Sequence, residues 1–483
     1  MNSGPGVAYA GIDLGTSGVK VLLVGVDGAA LARARSGYDL HRPQPGAAEA
    51  DPEDWWRAIG SAMRAALAQV PGVYVAALGL SGQMHGLVLA GNDGTPVRPA
   101  LTWADTRAVS DVDRWRALPA PVRARLGNPL VPGMTGPLLA RLARTEPALV
   151  ARATWALTAK DWVRLRLTGV AATDPSDASA TLLWDLPRDG WALDVLRALD
   201  LPADLLPDVR PSARAAGSVT AAAAADLAVP QGIPVATGAA DAAAALLGTA
   251  PGPGRLQLTL GTGAQLLRDG AALSGAADPV THTYRTAAPV GWYAMAAVQN
   301  FGLALDWARR TLSATWDELY ATLALPGDPR RLPLLVPYLT GERTPVVSSS
   351  VRAGWHGLDL AHTREDLLRS AVVGAVCAVR DARDALLDLP TGTLWLAGGG
   401  SRPPALRQLV ADLLGSVVAP VLADDASAWG AASLAASAAG SPLPEPATEC
   451  GPIIEPGDAV VWDEVFAGYR SMARALVAQE DPR

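Results

Sequence analysis

The chain has 483 residues and a formal charge of −7, which is too long for one core and suits two domains of roughly 240 residues each. An acidic surface gains nothing electrostatically from nucleic acid or an anionic membrane, so a small-molecule ligand is the expected partner. No apolar stretch reaches the ~20 residues of a bilayer span, the N-terminus lacks the pattern of a secretion signal, and two cysteines, Cys377 and Cys450, are too few for a disulfide framework, so the expected home is the cytoplasm.

The first elements are two Val-rich strands, "VAYAGI" and "VKVLLVGV", joined by a hairpin turn at Gly15-Thr16-Ser17-Gly18. Glycines there permit close approach of a ligand, and consecutive turn amides form a concavity suited to phosphate. Asp13 beside such a nest would repel the phosphate unless a cation sat between them, which suggests Mg²⁺ with a polyphosphate. The same residues also describe a plain hairpin whose Asp caps its own turn. Next, "DPEDWWRAIGSAMRAALAQV" reads as a helix with Asp51 as N-cap, Pro52 in the first turn and one apolar face. Strand-like "VAALGLS", the loop "GQMHG", the strand "LVLAG", the turn "NDGT" and a strand running into "ALTWADTR" follow, an order that indicates a three-layer α/β domain.

A strand, "IPVAT", then leads through Asp241 into an Ala-rich helix, and the Gly/Pro cluster Gly248–Arg255 marks the expected boundary between domains 1–248 and 249–483. Just beyond it "LTLGTGAQLL" repeats the first hairpin: Leu14-Gly15-Thr16 return as Leu260-Gly261-Thr262 about half a chain length later, followed by Gly263. A repeat at half-length implies a duplicated domain and a nucleotide held between two phosphate hairpins. Thr259 stands where the first copy has Asp13, so one half alone would bring the metal carboxylate. A long helix opens at Thr363 with Asp366 three residues on, in capping-box fashion. Strand "TLWLA", then Gly398-Gly399-Gly400, then helix "PPALRQLVADLLG" let backbone lie flat against a nucleotide.

Other nucleotide and metal motifs are missing. Lys20 is followed by Val21 and Lys160 by Asp161, which excludes a P-loop. "GTGAQL" lacks the last glycine of a dinucleotide fingerprint, and the five histidines show no zinc spacing.

The motifs "GIDLGTSGVK", "LSGQMHGLVL", "ALTWADTR", "LTAKDWVRLRLTG", "YLTGERTP" and "LAGGGSRPPALRQLVADLLG" resemble, in order and spacing, those of the FGGY carbohydrate kinases, and "GQMHG" resembles the xylulokinase branch. The resemblance implies two ribonuclease-H-like domains of the actin, hexokinase and Hsp70 type, with ATP and a sugar in the cleft between them. It places the catalytic base on Asp241, whose position before a helix N-terminus is also that of an ordinary N-cap; the helix end is expected to keep the carboxylate ionised. Met84 and His85 resemble the sugar-contacting pair. Trp103 would offer a ring face to the sugar, and Asp105 and Arg107, in a "W-x-D-x-R" pattern, would bind hydroxyls or each other. Lys20 resembles a basic residue near phosphate, although a solvent-facing strand lysine fits equally, and Gly398, Gly399 and Gly400 resemble the adenosine loop. The implied reaction is transfer of the γ-phosphoryl of MgATP to a primary hydroxyl, with D-xylulose as first choice, ribulose or gluconate as alternatives, and homodimerisation common among such kinases. Two residues depart from the xylulokinase pattern, Ala104 and Ala242, each standing where an amide is usual. Two non-kinase readings, a sugar- or nucleotide-binding regulator and a chaperone or filament ATPase, fit less well, because Asp13 and Asp241 are both present and the sugar-loop motifs would be purposeless.

Overall fold

A computed structural model describes residues 6–252, 254–389, 392–422, 425–457 and 459–480. Pro253 of the expected boundary and the first five residues of the N-terminus lie outside them.

The first sheet opens with β1 (Val7–Leu14), β2 (Gly18–Gly25) and β3 (Ala30–Gly37), an antiparallel meander. Helix α1 (Pro52–Leu67) starts where the sequence places it, with Asp51 Oδ1 accepting from the Glu53 amide at 3.0 Å. It buries Trp55, Ile59, Met63 and Ala66, the apolar face spaced for a helix. β4 (Tyr74–Gly82) then pairs parallel with β1, and β5 (Pro234–Ala236) parallel with β4. The strand order is therefore β3-β2-β1-β4-β5, with the edge strand Ala215–Ser218 beyond β5. Helix α2 (Asp241–Thr249) follows directly.

The second sheet repeats this plan. β6 (Leu256–Leu260), β7 (Ala264–Asp269), β8 (His282–Arg285) and β9 (Trp292–Val298) are antiparallel neighbours. After helix α3 (Arg364–Asp384), which has the expected capping box between Thr363 and Asp366, β10 (Leu394–Ala397) runs parallel to β6. Helix α4 (Pro404–Leu414) leads to β11 (Val418–Pro420), parallel to β10. The order β9-β7-β6-β10-β11 matches β3-β2-β1-β4-β5 of the first sheet, and the sixth strands lie at opposite edges: β8 outside β9 here, Ala215–Ser218 outside β5 there. Two domains of one ribonuclease-H-like topology thus account for the half-length repeat.

Helix α5 (Ala426–Ala438) belongs to the second half of the chain but packs on the first sheet. It lies so close that a Cβ at Gly11 of β1 would come within 1.8 Å of the Ala428 carbonyl oxygen, and one at Gly79 of β4 within 1.8 Å of that of Ala431. Glycine in mid-strand weakens a sheet unless another backbone must approach it, and here one does. The alanine-rich face of α5 and these two glycines seat the helix flat over β1 and β4. No described helix is long and apolar enough to cross a membrane.

Candidate active site

Asp13 is the penultimate residue of β1 and pairs with Ser81 of β4, whose Oγ donates to Asp13 Oδ1 at 3.1 Å. On the other side of Ser81 and Gly82 lies the two-residue strand Ala239–Ala240, and the next residue, Asp241, opens α2. One strand therefore separates Asp13 from Asp241. Burial pushes the Asp241 carboxyl up to about 7, with the Asp13 charge adding to the rise. The expected ionised carboxylate at a helix end is thus corrected: the Ala242 amide donates to Asp241 Oδ1 at 2.8 Å, but desolvation outweighs the helix end. Burial also raises Asp13, while the Lys20 charge opposes the rise. A carboxyl near 7 accepts and returns a proton close to neutrality.

The first hairpin, Gly15, Thr16 and Ser17, begins two residues after Asp13. Its turn is closed by the Gly15 amide donating to Gly18 O at 3.0 Å, and the Tyr38 hydroxyl donates to Gly15 O. The Trp103 Nε1–H donates to Thr16 Oγ1 at 2.9 Å, tying the "WADTR" loop to the hairpin. In the second hairpin the Gly261 amide donates to Gly263 O at 2.9 Å, and Thr262 O accepts from the Leu303 amide at 2.9 Å. Gly398 has φ +92°, and a Cβ there would lie 2.3 Å from Leu260 O. Only glycine lets this loop lie on the end of β6, so Gly398, Gly399 and Gly400 sit beside the second hairpin. Gly399 faces open space.

Met84 and His85 are buried in the loop after β4. His85 has φ +64°, a left-handed conformation that costs a non-glycine residue about 1 kcal/mol, and such strain gathers at functional loops. Its Nδ1 lies 2.7 Å from Ala180 O. A carbonyl only accepts, so Nδ1 carries the proton and Nε2 is left as an acceptor. Burial, and then the Arg343 charge, push His85 down to about 3. The ring is neutral at every physiological pH.

Three residues beyond the sequence-based selection complete this region, all from the second half of the chain. The Tyr284 hydroxyl lies 2.6 Å from His282 Nδ1 and 3.5 Å from His85 Nε2. Arg343 sits over the Trp103 ring at 4.9 Å, covering a face expected for sugar. Arg343 lies in the quoted "YLTGERTP" motif and was within reach; nothing in the spacing of "THTYR" distinguishes His282 or Tyr284.

Other candidates are drawn elsewhere. Asp105 is fully buried and accepts from the Ala48 amide and from Arg107, while Arg107 also pairs with Glu49 at 2.5 Å. Of the two arrangements left open, these residues bind each other. Lys20 lies 3.9 Å from Asp425, which Arg33 and Arg35 also approach. Its charge is directed at the start of α5 as much as at any phosphate. Ala104 is half-buried, whereas Ala242 is 3% exposed in the apolar cluster containing Met84 and Tyr284.

The chain belongs to the FGGY family of carbohydrate kinases: the model of the family's N-terminal domain matches residues 8–248 and that of its C-terminal domain residues 256–439. It is an ATP-dependent carbohydrate kinase. Among its relatives, the xylulose kinase of Escherichia coli K12 is 32% identical over 89% of this chain and 90% of its own length, and that of Streptomyces rubiginosus is 33% identical over 99% and 98%. The crystal structure described as a "xyloylose kinase" from Brucella ovis superposes with a TM-score of 0.89 at 32% identity, covering 98% of this chain and 100% of its own. A glycerol kinase from Plasmodium falciparum shares the fold at 18% identity and a TM-score of 0.84.

Proposed function

We propose that this kinase transfers the γ-phosphoryl group of ATP to the primary hydroxyl of D-xylulose, forming D-xylulose 5-phosphate, with Asp241 as the base. The observation that supports the reading is that Asp13 and Asp241 flank β4 from its two sides, the second a buried carboxyl raised to about 7 partly by the charge of the first. The sugar hydroxyl attacks the γ-phosphorus in line; its proton passes to Asp241, the bridging P–O bond breaks, and ADP leaves. Amides of Gly15 to Ser17 and Gly261 to Gly263 steady the phosphates, and Gly398 to Gly400 lie along the nucleotide. His85 Nε2 accepts a hydrogen bond from a sugar hydroxyl, Met84 lines the apolar wall, and Trp103 with Arg343 closes the side toward Thr16.

The residues also suit Mg²⁺, which prefers hard oxygen donors and keeps several waters when it arrives with phosphates. Among the described residues no group of three or more His, Cys, Asp or Glu is arranged to hold a metal, so a single protein carboxylate, Asp13, fits an ion carried by the nucleotide. When bound, the ion neutralises charge developing on the phosphoryl oxygens. A cytoplasmic home and a homodimer complete the reading.

The relatives' names support D-xylulose, while Ala104, half-buried where an amide is usual, leaves room for a broader sugar range; Ala242 is packed in the apolar cluster. ADP release measured with D-xylulose, L-ribulose, gluconate and glycerol tests this. The highest kcat/KM should fall on D-xylulose; a clear preference for another sugar reassigns the substrate, and no release with any of them removes the kinase reading.

A further inference from the structure

Beneath the site lies a group of charges with no role in the reaction described above. Lys160 and Arg164, on the helix Ala159–Thr168, are completely buried. Lys160 Nζ is 2.6 Å from Asp161, 2.9 Å from Asp174 and 3.0 Å from Asp177, and Arg164 is 2.9 Å from Asp161. Burying two cations against three carboxyls is costly, and apolar packing of the same volume often stabilises a fold as well or better. Stability alone does not explain the cluster.

Its outward hydrogen bonds lead to Asp241. Asp174 Oδ2 accepts from Ser176 Oγ at 2.6 Å and from Ser212 Oγ at 2.8 Å. With its only proton committed to that carboxylate, the Ser176 oxygen accepts from the Ala240 amide at 2.9 Å, one residue before Asp241. Arg164 Nη1 donates to Thr237 O at 2.7 Å. The turn that presents Asp241 is thus held at both ends by the cluster. Lys160 also underlies the far side of this turn, since a Cβ at Gly82, the residue paired with Ala240, would meet Lys160 Cβ at 2.9 Å. The Asp174 charge strengthens Ser176 as an acceptor, and Lys160 holds that charge in place.

We propose that Ser176, backed by Asp174 and Lys160, is a positioning residue for phosphoryl transfer: it fixes the Ala240 amide and so aims the Asp241 carboxylate. The proposal rests on the reading of Asp241 as the base. A displacement of about 1 Å at a reacting group costs up to about 10²-fold in rate, so one hydrogen bond at this point has leverage on kcat that it lacks on binding.

The test compares Ser176→Ala, Ser212→Ala, Asp241→Asn and the double variant Ser176→Ala/Asp241→Asn, with kcat, KM for D-xylulose and for ATP, and thermal melting measured for each. Ser212 donates to the same Asp174 oxygen but does not touch the Ala240 amide, so its variant carries a similar structural loss. Ser176→Ala should lower kcat about 10-fold with both KM values within about threefold, Ser212→Ala should leave kcat within about twofold, and in the Asp241→Asn background the Ser176 change should cost no more than about twofold. Equal kcat losses in the two serine variants, a normal kcat in Ser176→Ala beside an inactive Asp241→Asn, or full additivity in the double variant would each overturn the positioning role alone. Wild-type turnover in Asp241→Asn would instead remove the base, and the proposal with it. Should Ser176→Ala melt too low to assay, Ser176→Cys, close in shape but a weak acceptor, is read by the same criteria.

Discussion

Asp13 and Asp241 stand on opposite sides of a single strand, β4, where Ser81 and Gly82 pair with Asp13 and Leu14 on one side and with Ala239 and Ala240 on the other. Residues more than two hundred positions apart thereby share one electrostatic environment, and the charge of the first raises the pKa of the second.

Replacing Asp241 by Asn keeps the shape and removes the proposed proton acceptor. We expect kcat to fall by about 10²-fold or more while ADP affinity stays close to wild type. Steady-state rates with a nucleotide-binding titration check both halves, and unimpaired turnover would remove Asp241 from the chemistry.

The elevated Asp241 pKa fixes the direction of two pH effects. As the proposed base, Asp241 would act deprotonated, so kcat/KM should rise about tenfold per pH unit below about 7 and then level off. Between the ordinary 3.8 and about 7 the folded state holds a proton that the unfolded state has lost, so this group's contribution to stability falls as pH rises through that window and stays low above it. Asp241→Asn lacks this penalty. It should melt higher than wild type at pH 8 and nearly with it at pH 4; a difference of opposite sign would contradict the assignment.

Asp13→Ala takes away a negative neighbour, which makes Asp241 easier to ionise. The acid limb of the kcat/KM profile should therefore move to lower pH even as the maximum rate drops. In the same variant the Mg²⁺ concentration for half-maximal rate should rise. An unmoved limb and an unchanged Mg²⁺ response would reduce the opening hairpin to a structural turn.

His85, pushed down to about 3, should leave no limb of its own between pH 5 and 9. Loss of its acceptor nitrogen in His85→Ala should weaken sugar binding by up to about 10-fold, equivalent to one hydrogen bond of 0.5–1.5 kcal/mol, with a smaller change in kcat. Sugar KM values for the two proteins decide it.

Gly11→Val sets a side chain where the Ala428 carbonyl oxygen lies 1.8 Å from the first added carbon. Helix α5 would have to lift off the sheet, and overpacking of this kind costs about 1–3 kcal/mol or more. A lowered denaturant midpoint, with activity falling as α5 shifts, is the expected result; wild-type stability would show that α5 does not pack as described.

What could be read along the chain were features set by neighbours in sequence. Both hairpins, the caps at Asp51 and Thr363, the half-length repeat and the motifs of the family depend on local conformational rules or on order alone, and the structure has them where they were expected. Tertiary structure decided the rest. It turned Asp105 and Arg107 toward each other, drew Lys20 toward Asp425, brought Tyr284 to His85 and Arg343 over Trp103, and set a helix from residues 426–438 on the first sheet. It also raised Asp241 to about 7, where the helix N-terminus by itself argued for a low value. The physical reason is common to all of these. A hydrogen-bond partner is chosen by which chain segments meet, and a pKa by how completely the fold withdraws a carboxyl from water. Neither is a property of residue spacing.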